Sequence, residues 1–144
     1  MAGGTGGHIF PALAIAKELS ARGADIVWLG GKGGMEESIV PKHGYPLNCI
    51  HSSGLRGKSL IAFIKGICSL CLGFIQTISI FLKNKPNIVI GMGGYASGVG
   101  GIVAKIFSTR LVIHEQNAIP GTTNRLLSRI ANKSFQAFDN SFDS

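Results

Sequence analysis

Short apolar runs alternate with longer helical patterns along nearly the whole chain, and this alternation restricts the fold more than any other feature. Helical patterns cover residues 11–22, 36–40, 60–82, 95–107 and 122–130. Strand-like runs cover residues 25–29, 47–50, 87–90, 110–114 and 133–138. Gly23 ends the first helix, and Pro41 ends or bends the short second one. Strands separated by helices must be joined by crossovers, which gives a parallel sheet with helices on both faces. The expected class is therefore α/β, with a Rossmann-like sheet in one domain of 144 residues. Ligands of such sheets sit at the carboxyl ends of the strands.

Glycine marks those ends. The chain holds 21 glycines, clustered without a collagen-like period. Gly3-Gly4-Thr5-Gly6-Gly7-His8 runs straight into a helix, and Gly91-Met92-Gly93-Gly94-Tyr95-Ala96-Ser97-Gly98 lies between a strand and a helix. Glycine lets backbone amides approach a ligand closely, and a helix start favours anions, so a phosphate or diphosphate suits both loops. Tyr95 and Ser97 add hydroxyls able to meet phosphate or sugar. The plain alternative for each loop is a tight turn, and for Gly100 and Gly101 it is close helix-to-sheet packing. The dinucleotide fingerprint fails, because Ile9 stands where its third glycine belongs and Gly30-Gly31 replace the acidic residue after the next strand. A third strand end carries His114-Glu115-Gln116-Asn117, four polar groups suited to sugar hydroxyls and amides. Only Met1-Ala2 precede the first glycine loop, where this architecture normally has a central strand, so the first strand is expected to be largely missing.

Charge and cysteine narrow the function class. The formal net charge of +7 fits nucleic acid, an anionic membrane or a phosphorylated substrate. No basic stripe is interleaved with aromatic residues, which argues against nucleic acid. Three cysteines, Cys49, Cys68 and Cys71, with no signal-peptide pattern point to a reducing cytoplasm. His8, His43, His51 and His114 lack metal-ligand spacing, so no metal or other cofactor is expected. Gly57-Lys58-Ser59 resembles the end of a P-loop, but Ser52 occupies the first required glycine position. Cys68-Ser69-Leu70-Cys71 falls within an apolar helix, the wrong setting for a redox pair.

The helix at 60–82 carries no charge from Gly66 to Leu82, which approaches the ~20 residues that span a bilayer. Lys65, Ser69, Gly73, Gln76 and Lys83 form a narrow polar stripe along it. Leu60, Phe63, Leu70, Phe74 and Phe81 exceed what one sheet contact needs. With Arg56, Lys58, Lys65, Lys83 and Lys85 nearby they suggest a patch for an anionic membrane surface. A fully buried helix and a spanning helix are the alternatives.

Taken in order, GGTGGHIFPALAIA, WLGGKGGMEESIVP, SSGLRGKS, PNIVIGMGGYASGVGG, LVIHEQNAIPGTTNRLL and NKSFQAF resemble the pattern of the MurG family over essentially all of the chain. The resemblance implies the amino-terminal, acceptor-side half of a GT-B glycosyltransferase, with a carboxy-terminal donor domain outside residues 1–144. The family is inverting. It moves N-acetylglucosamine from UDP-N-acetylglucosamine to lipid I, making lipid II for peptidoglycan at the cytoplasmic membrane face. The implied partners are thus UDP-N-acetylglucosamine, lipid I and an anionic membrane, and the isolated chain is expected to show weak or no transfer. Thr5, Gly6, Gly7 and Asn117 match family positions that contact the donor; Gly94, Tyr95, Ser97 and Gly98 form the second loop. His8 and Glu115 are rival catalytic groups for the acceptor hydroxyl proton, with a purely positioning role for both as the alternative. Val99 replaces the family's usual proline. A non-catalytic diphosphate or lipid binder and a GT-B enzyme with a soluble acceptor are the competing readings.

Overall fold

The computed structural model describes residues 1–52 and 60–142, with side-chain surroundings described outside 53–63. Its helices are α1 (Gly6–Ala21), α2 (Glu36–Ile39), α3 (Leu60–Asn84), α4 (Tyr95–Ile106) and α5 (Thr122–Ser128). Its strands are β1 (Trp28–Gly31), β2 (Leu47–Ile50), β3 (Ile88–Gly91), β4 (Arg110–Glu115) and β5 (Lys133–Gln136). Every pairing is parallel: β1 beside β2, and β3-β4-β5 in that order. The α/β class and the parallel arrangement are as the alternation required.

Met1 and Ala2 lie hydrogen-bonded between the two sheets. The Met1 amine donates to the Ile90 carbonyl at 2.7 Å, and the Met92 amide donates to the Met1 carbonyl at 2.9 Å. On the other side, the Trp28 indole donates to the Ala2 carbonyl at 2.9 Å. Met1-Ala2 therefore bridge β3 to the β1–β2 pair. Below them the sheet is open, and a groove of about 520 Å³ runs between Trp28 and Ile26 on one side and Ile88 and Ile90 on the other. Burial pushes the Met1 amine down to about 5, because desolvation penalises its charged form.

Two boundaries moved for physical reasons. The first helix begins at Gly6, five residues ahead of Pro11, so the glycine loop supplies its first turn. Pro11 lies within the helix, where it has no N–H to offer the Gly7 carbonyl. Gly30 and Gly31 do not close β1 but belong to it, paired with Cys49 and Ile50. A side chain at Gly30 would lie 2.6 Å from the Glu36 Cγ, so this strand stays bare to let α2 fold over it.

Among the described residues, three apolar clusters form the core. Ile9, Leu13, Trp28 and Val40 pack under α1. Leu29, Ile50, Ala96 and Val99 join β1 and β2 to α4. Phe81, Val89, Val103, Leu111, Ile113 and Leu127 fill the space around β3 and β4. Gly100 and Gly101 are close-packing glycines: an added Cβ would come within 2.1 Å of Met1 Sδ or 2.6 Å of Leu127.

The orientation of α3 corrects the sequence reading. Phe81 is buried, and Leu70 and Phe74 pack partly against the core, so these three do not form a surface patch. The supposed polar stripe turns partly inward. A Cβ on Gly73 would sit 1.9 Å from the His51 carbonyl oxygen, so glycine here lets α3 touch the end of β2. Gln76 accepts the His51 backbone N–H at 2.9 Å, completing that contact. The exposed apolar residues are instead Ile64, Ile67, Leu72, Ile75 and Leu82. Residues 64–84 are long and apolar enough to cross a membrane by length and composition. Arg56, Lys58 and the Gly57-Lys58-Ser59 stretch lie outside the described residues, as do the side-chain surroundings of Leu60 and Phe63. Cys68 and Cys71 are free and exposed on α3.

Candidate functional site

The first glycine loop is shaped by one backbone angle and one buried acid. Gly4 has φ of +90°, the left-handed region that favours glycine. Thr5 is extended at the N-cap of α1, and its hydroxyl makes no capping bond. The Gly6 and Gly7 amides follow at the first two helical positions, ahead of the intrahelical ladder. Gly6 lies under the Phe10 ring, whereas a Cβ on Gly7 would meet only Thr5 Oγ1, at 3.8 Å. Packing thus explains Gly6 but not Gly7. Glu36, 1% exposed, lies beneath the loop. It accepts the Gly4 N–H at 3.1 Å and the Gly31 N–H at 2.7 Å. Side chains on Gly3 or Gly34 would come within 2.2 Å of its carboxylate, so glycines on both sides make room for it.

The second loop interlocks with the first. Gly93 has φ of +110° and Gly94 has φ of +84°. A Cβ on Gly94 would lie 2.5 Å from the Gly3 carbonyl oxygen, and one on Gly93 would lie 2.6 Å from the His8 ring. The imidazole therefore rests on the bare backbone of Gly93. Tyr95 opens α4 and is exposed. Ser97 is fully buried, and its hydroxyl faces the carbonyls of Gly93 at 2.7 Å and Met1 at 2.9 Å. It tethers the loop to the chain start and does not line the cleft. Gly98 is half-buried, 3.3 Å from the Thr123 methyl by the same Cβ measure, which places it at the α4–α5 contact.

The end of β4 supplies the third part. Glu115 is 0% exposed. Its Oε1 accepts from the Asn117 amide at 3.0 Å and the Asn117 side-chain nitrogen at 2.9 Å. Its Oε2 accepts from the Gly121 amide at 3.2 Å and the Asn124 side-chain nitrogen at 2.9 Å. Both oxygens are thereby turned into the loop after β4. Gln116 reaches the other way: its Nε2 meets His8 Nδ1 and donates to the Met92 carbonyl at 3.0 Å. Asn117 is exposed beside it.

His8, Gly93, Gly94 and Gln116 are in one place at the carboxyl ends of β3 and β4, with Thr5, Gly6, Gly7, Tyr95 and Asn117 around it. Ser97, Gly98 and Glu115 lie behind this surface. The start of α1 and the His8 ring are its anion-favouring features. Among the described residues, no group of three or more His, Cys, Asp or Glu side chains is placed to hold a metal ion. Sequence reasoning singled out neither Glu36 nor Asn124, yet both are buried and hydrogen-bonded to the site's loops. A clue to Glu36 was available. It is one of only seven acidic residues, and only Met35 separates it from a glycine-rich turn.

The model of the glycosyltransferase family 28 N-terminal domain matches residues 1–136. The UDP-N-acetylglucosamine--N-acetylmuramyl-(pentapeptide) pyrophosphoryl-undecaprenol N-acetylglucosamine transferase of Vesicomyosocius okutanii subsp. Calyptogena okutanii (strain HA) is 59% identical over 99% of this chain and 42% of its own length. The protein of the same name from Cellvibrio japonicus (strain Ueda107) is 52% identical over 99% of this chain and 39% of its own length. The crystal structure of Acinetobacter baumannii MurG superposes with a TM-score of 0.88 at 38% identity, over 100% of this chain and 42% of that one. The chain thus spans about two fifths of the length of the curated relatives it matches. With nearly its whole length inside the family pattern, the chain belongs to the glycosyltransferase family 28 N-terminal domain family.

Proposed function

We propose that this chain is the acceptor-side domain of an inverting glycosyltransferase that moves N-acetylglucosamine from UDP-N-acetylglucosamine to the MurNAc of lipid I, giving lipid II. The carrying observation is the convergence of the two glycine loops, through His8 and Gly93, on the end of β4. The names of the relatives support the substrates, and the donor domain is read as lying outside these residues. In the reaction the acceptor hydroxyl oxygen forms a bond to the anomeric carbon from the face opposite UDP. The bond to the β-phosphate oxygen breaks, UDP leaves with the electron pair, and the hydroxyl proton passes to a base.

The free amides at Gly6 and Gly7, with the Thr5 hydroxyl, suit diphosphate oxygens. Tyr95 and Asn117 are the exposed polar side chains able to meet sugar groups. Of the two catalytic candidates, His8 reaches the cleft. Glu115, enclosed by its donors, fits the positioning role by holding the loop that presents Asn117. Gly94 serves by letting the two loops touch, Ser97 by anchoring the second loop, and Gly98 by admitting α5.

We further propose that the domain works peripherally at the cytoplasmic face of the membrane. Ile64, Ile67, Leu72, Ile75 and Leu82 recur along one side of α3, and Lys65 and Lys83 flank them. An apolar stripe with basic neighbours suits an anionic lipid surface.

Calorimetric titration of the chain with a soluble lipid I analogue and, separately, with UDP-N-acetylglucosamine tests the assignment. Acceptor binding without donor binding is expected. Absence of turnover on lipid I by a version extended to the full length of the relatives would overturn it. Flotation with vesicles containing anionic lipid tests the membrane reading, and a protein that stays in the soluble fraction would refute it.

A further inference from the structure

We infer that Gln116 is a positioning residue that fixes His8 as its Nε2–H tautomer, so that His8 gives a hydrogen bond to an anionic oxygen in the cleft. The inference rests on the reading of His8 as a cleft residue. A neutral imidazole carries one proton, and the neighbour of one ring nitrogen decides which nitrogen holds it. Here that neighbour is the Gln116 side-chain amide, which meets Nδ1.

The orientation of this amide follows from its second contact. Its nitrogen lies 3.0 Å from the Met92 carbonyl oxygen, which can only accept. Turning the amide over would set two acceptor oxygens against each other. The Gln116 nitrogen therefore has one N–H for Met92 and the other for His8. A nitrogen that receives an N–H must offer a lone pair, so Nδ1 is bare and the ring proton sits on Nε2. The Met92 carbonyl is itself held in place, because the Met92 amide donates to Met1 and Gly93 follows in the left-handed region. Among the described residues, His8 Nε2 has no protein partner and is not enclosed, so its N–H is free for a ligand.

The chemical consequence bears on the role of His8. With Nδ1 occupied and Nε2 protonated, the ring presents a donor to the cleft and no lone pair. A donor beside the first turn of α1 suits a phosphate oxygen of a diphosphate, alongside the Gly6 and Gly7 amides. In this arrangement His8, like Glu115, takes the positioning alternative, and the acceptor hydroxyl proton goes to a base that neither residue supplies.

The test is a long-range proton–nitrogen correlation spectrum of the imidazoles in the full chain, labelled with 15N-histidine and recorded above the pH range of imidazole titration. His8→Asn identifies the His8 signals. The expected wild-type pattern is a protonated Nε2 and a bare Nδ1. Gln116→Glu keeps the shape but can only accept, so it should move the proton to Nδ1; Gln116→Leu should leave a mixture of tautomers. A wild-type His8 protonated on Nδ1, or evenly mixed, would overturn the inference whether or not the variants fold. So would an unchanged pattern in a folded Gln116→Leu protein.

Inorganic pyrophosphate then separates this inference from the functional reading. The expected result is a shift of the Nε2 proton on binding, with affinity roughly tenfold weaker in Gln116→Glu, as the loss of one hydrogen bond to a charged group implies. The expected tautomer pattern without any response to pyrophosphate would support the role of Gln116 and refute the cleft as a diphosphate site.

Discussion

The carboxylate of Glu36 accepts the backbone N–H of Gly4 at 3.1 Å, from a position 32 residues further along the chain. The same group accepts the Gly31 N–H, so a single acid ties the first glycine loop to β1. It also takes the Gly4 amide away from any ligand, leaving Gly6 and Gly7 as the open donors of that loop. Glu36→Ala would strand the buried Gly31 amide, leave the Gly4 amide to solvent and remove the contents of the space that four glycines surround. The expected loss is about 3 kcal/mol, read from the urea midpoint, since each unpaired buried donor costs about 1–3 kcal/mol. Glu36→Gln retains an acceptor oxygen and should lose less than half as much.

Two glycine-to-alanine changes should separate fold from site. Gly73→Ala drives a methyl into the His51 carbonyl and must push α3 off the end of β2. A loss of roughly 2–3 kcal/mol is expected, as for other overpacked sites. Gly7→Ala meets only the Thr5 hydroxyl and should leave thermal stability within about 1 kcal/mol of wild type. The same methyl would hinder approach to the first-turn amides, so pyrophosphate affinity should fall in Gly7→Ala and stay intact in any folded Gly73→Ala protein.

Stability should rise with pH between about 5 and 8. The Met1 amine titrates near 8.0 when unfolded and is pushed down to about 5 by burial in the fold. Between these values the unfolded chain binds the proton and the folded chain does not, so raising pH favours the fold. The penalty is fully present below 5 and gone above 8, and three units correspond to a swing on the order of 4 kcal/mol. Urea titrations across this window check the sign; a flat or falling profile would contradict it.

The three cysteines should differ in thiol chemistry. Burial, with a contribution from Glu37, pushes the Cys49 thiol up to about 11 from 9.0. Its thiolate fraction at neutral pH is then roughly 100-fold below that of an unperturbed thiol. Cys68 and Cys71 are exposed on α3. Iodoacetamide followed by peptide mass mapping should modify those two first and Cys49 last.

The legible parts of this molecule are those in which a local sequence pattern decides the outcome. Gly4, Gly93 and Gly94 adopt backbone angles that favour glycine, so their clusters announced the loops before any contact was known. Strand and helix types followed from alternation. Side-chain direction did not. Nothing local distinguishes a serine hydroxyl that faces a ligand from Ser97, whose hydroxyl turns inward to Met1 and Gly93. A helix apolar nearly all round hides its phase, and α3 accordingly buries Phe81 and exposes Ile75, the reverse of the sequence reading for Phe81. The contacts of Glu36 and Gln116 were hidden for a third reason. Their partners, Gly4 and His8, arrive from 32 and 108 residues away, and only the completed fold brings them together.

Met1-Ala2 has a consequence for how the molecule responds to cold. Among the described residues no ladder joins the β1–β2 pair to the β3–β5 sheet; Met1-Ala2, the apolar cluster of Leu29, Ile50, Ala96 and Val99, the α3 contact on His51 and the His8 contacts with Gly93 and Gln116 link them. Apolar attraction weakens on cooling. The join between the halves is thus the part of this protein that chilling should loosen first, and with it the contact of Gly3 on Gly94 that holds the two loops face to face.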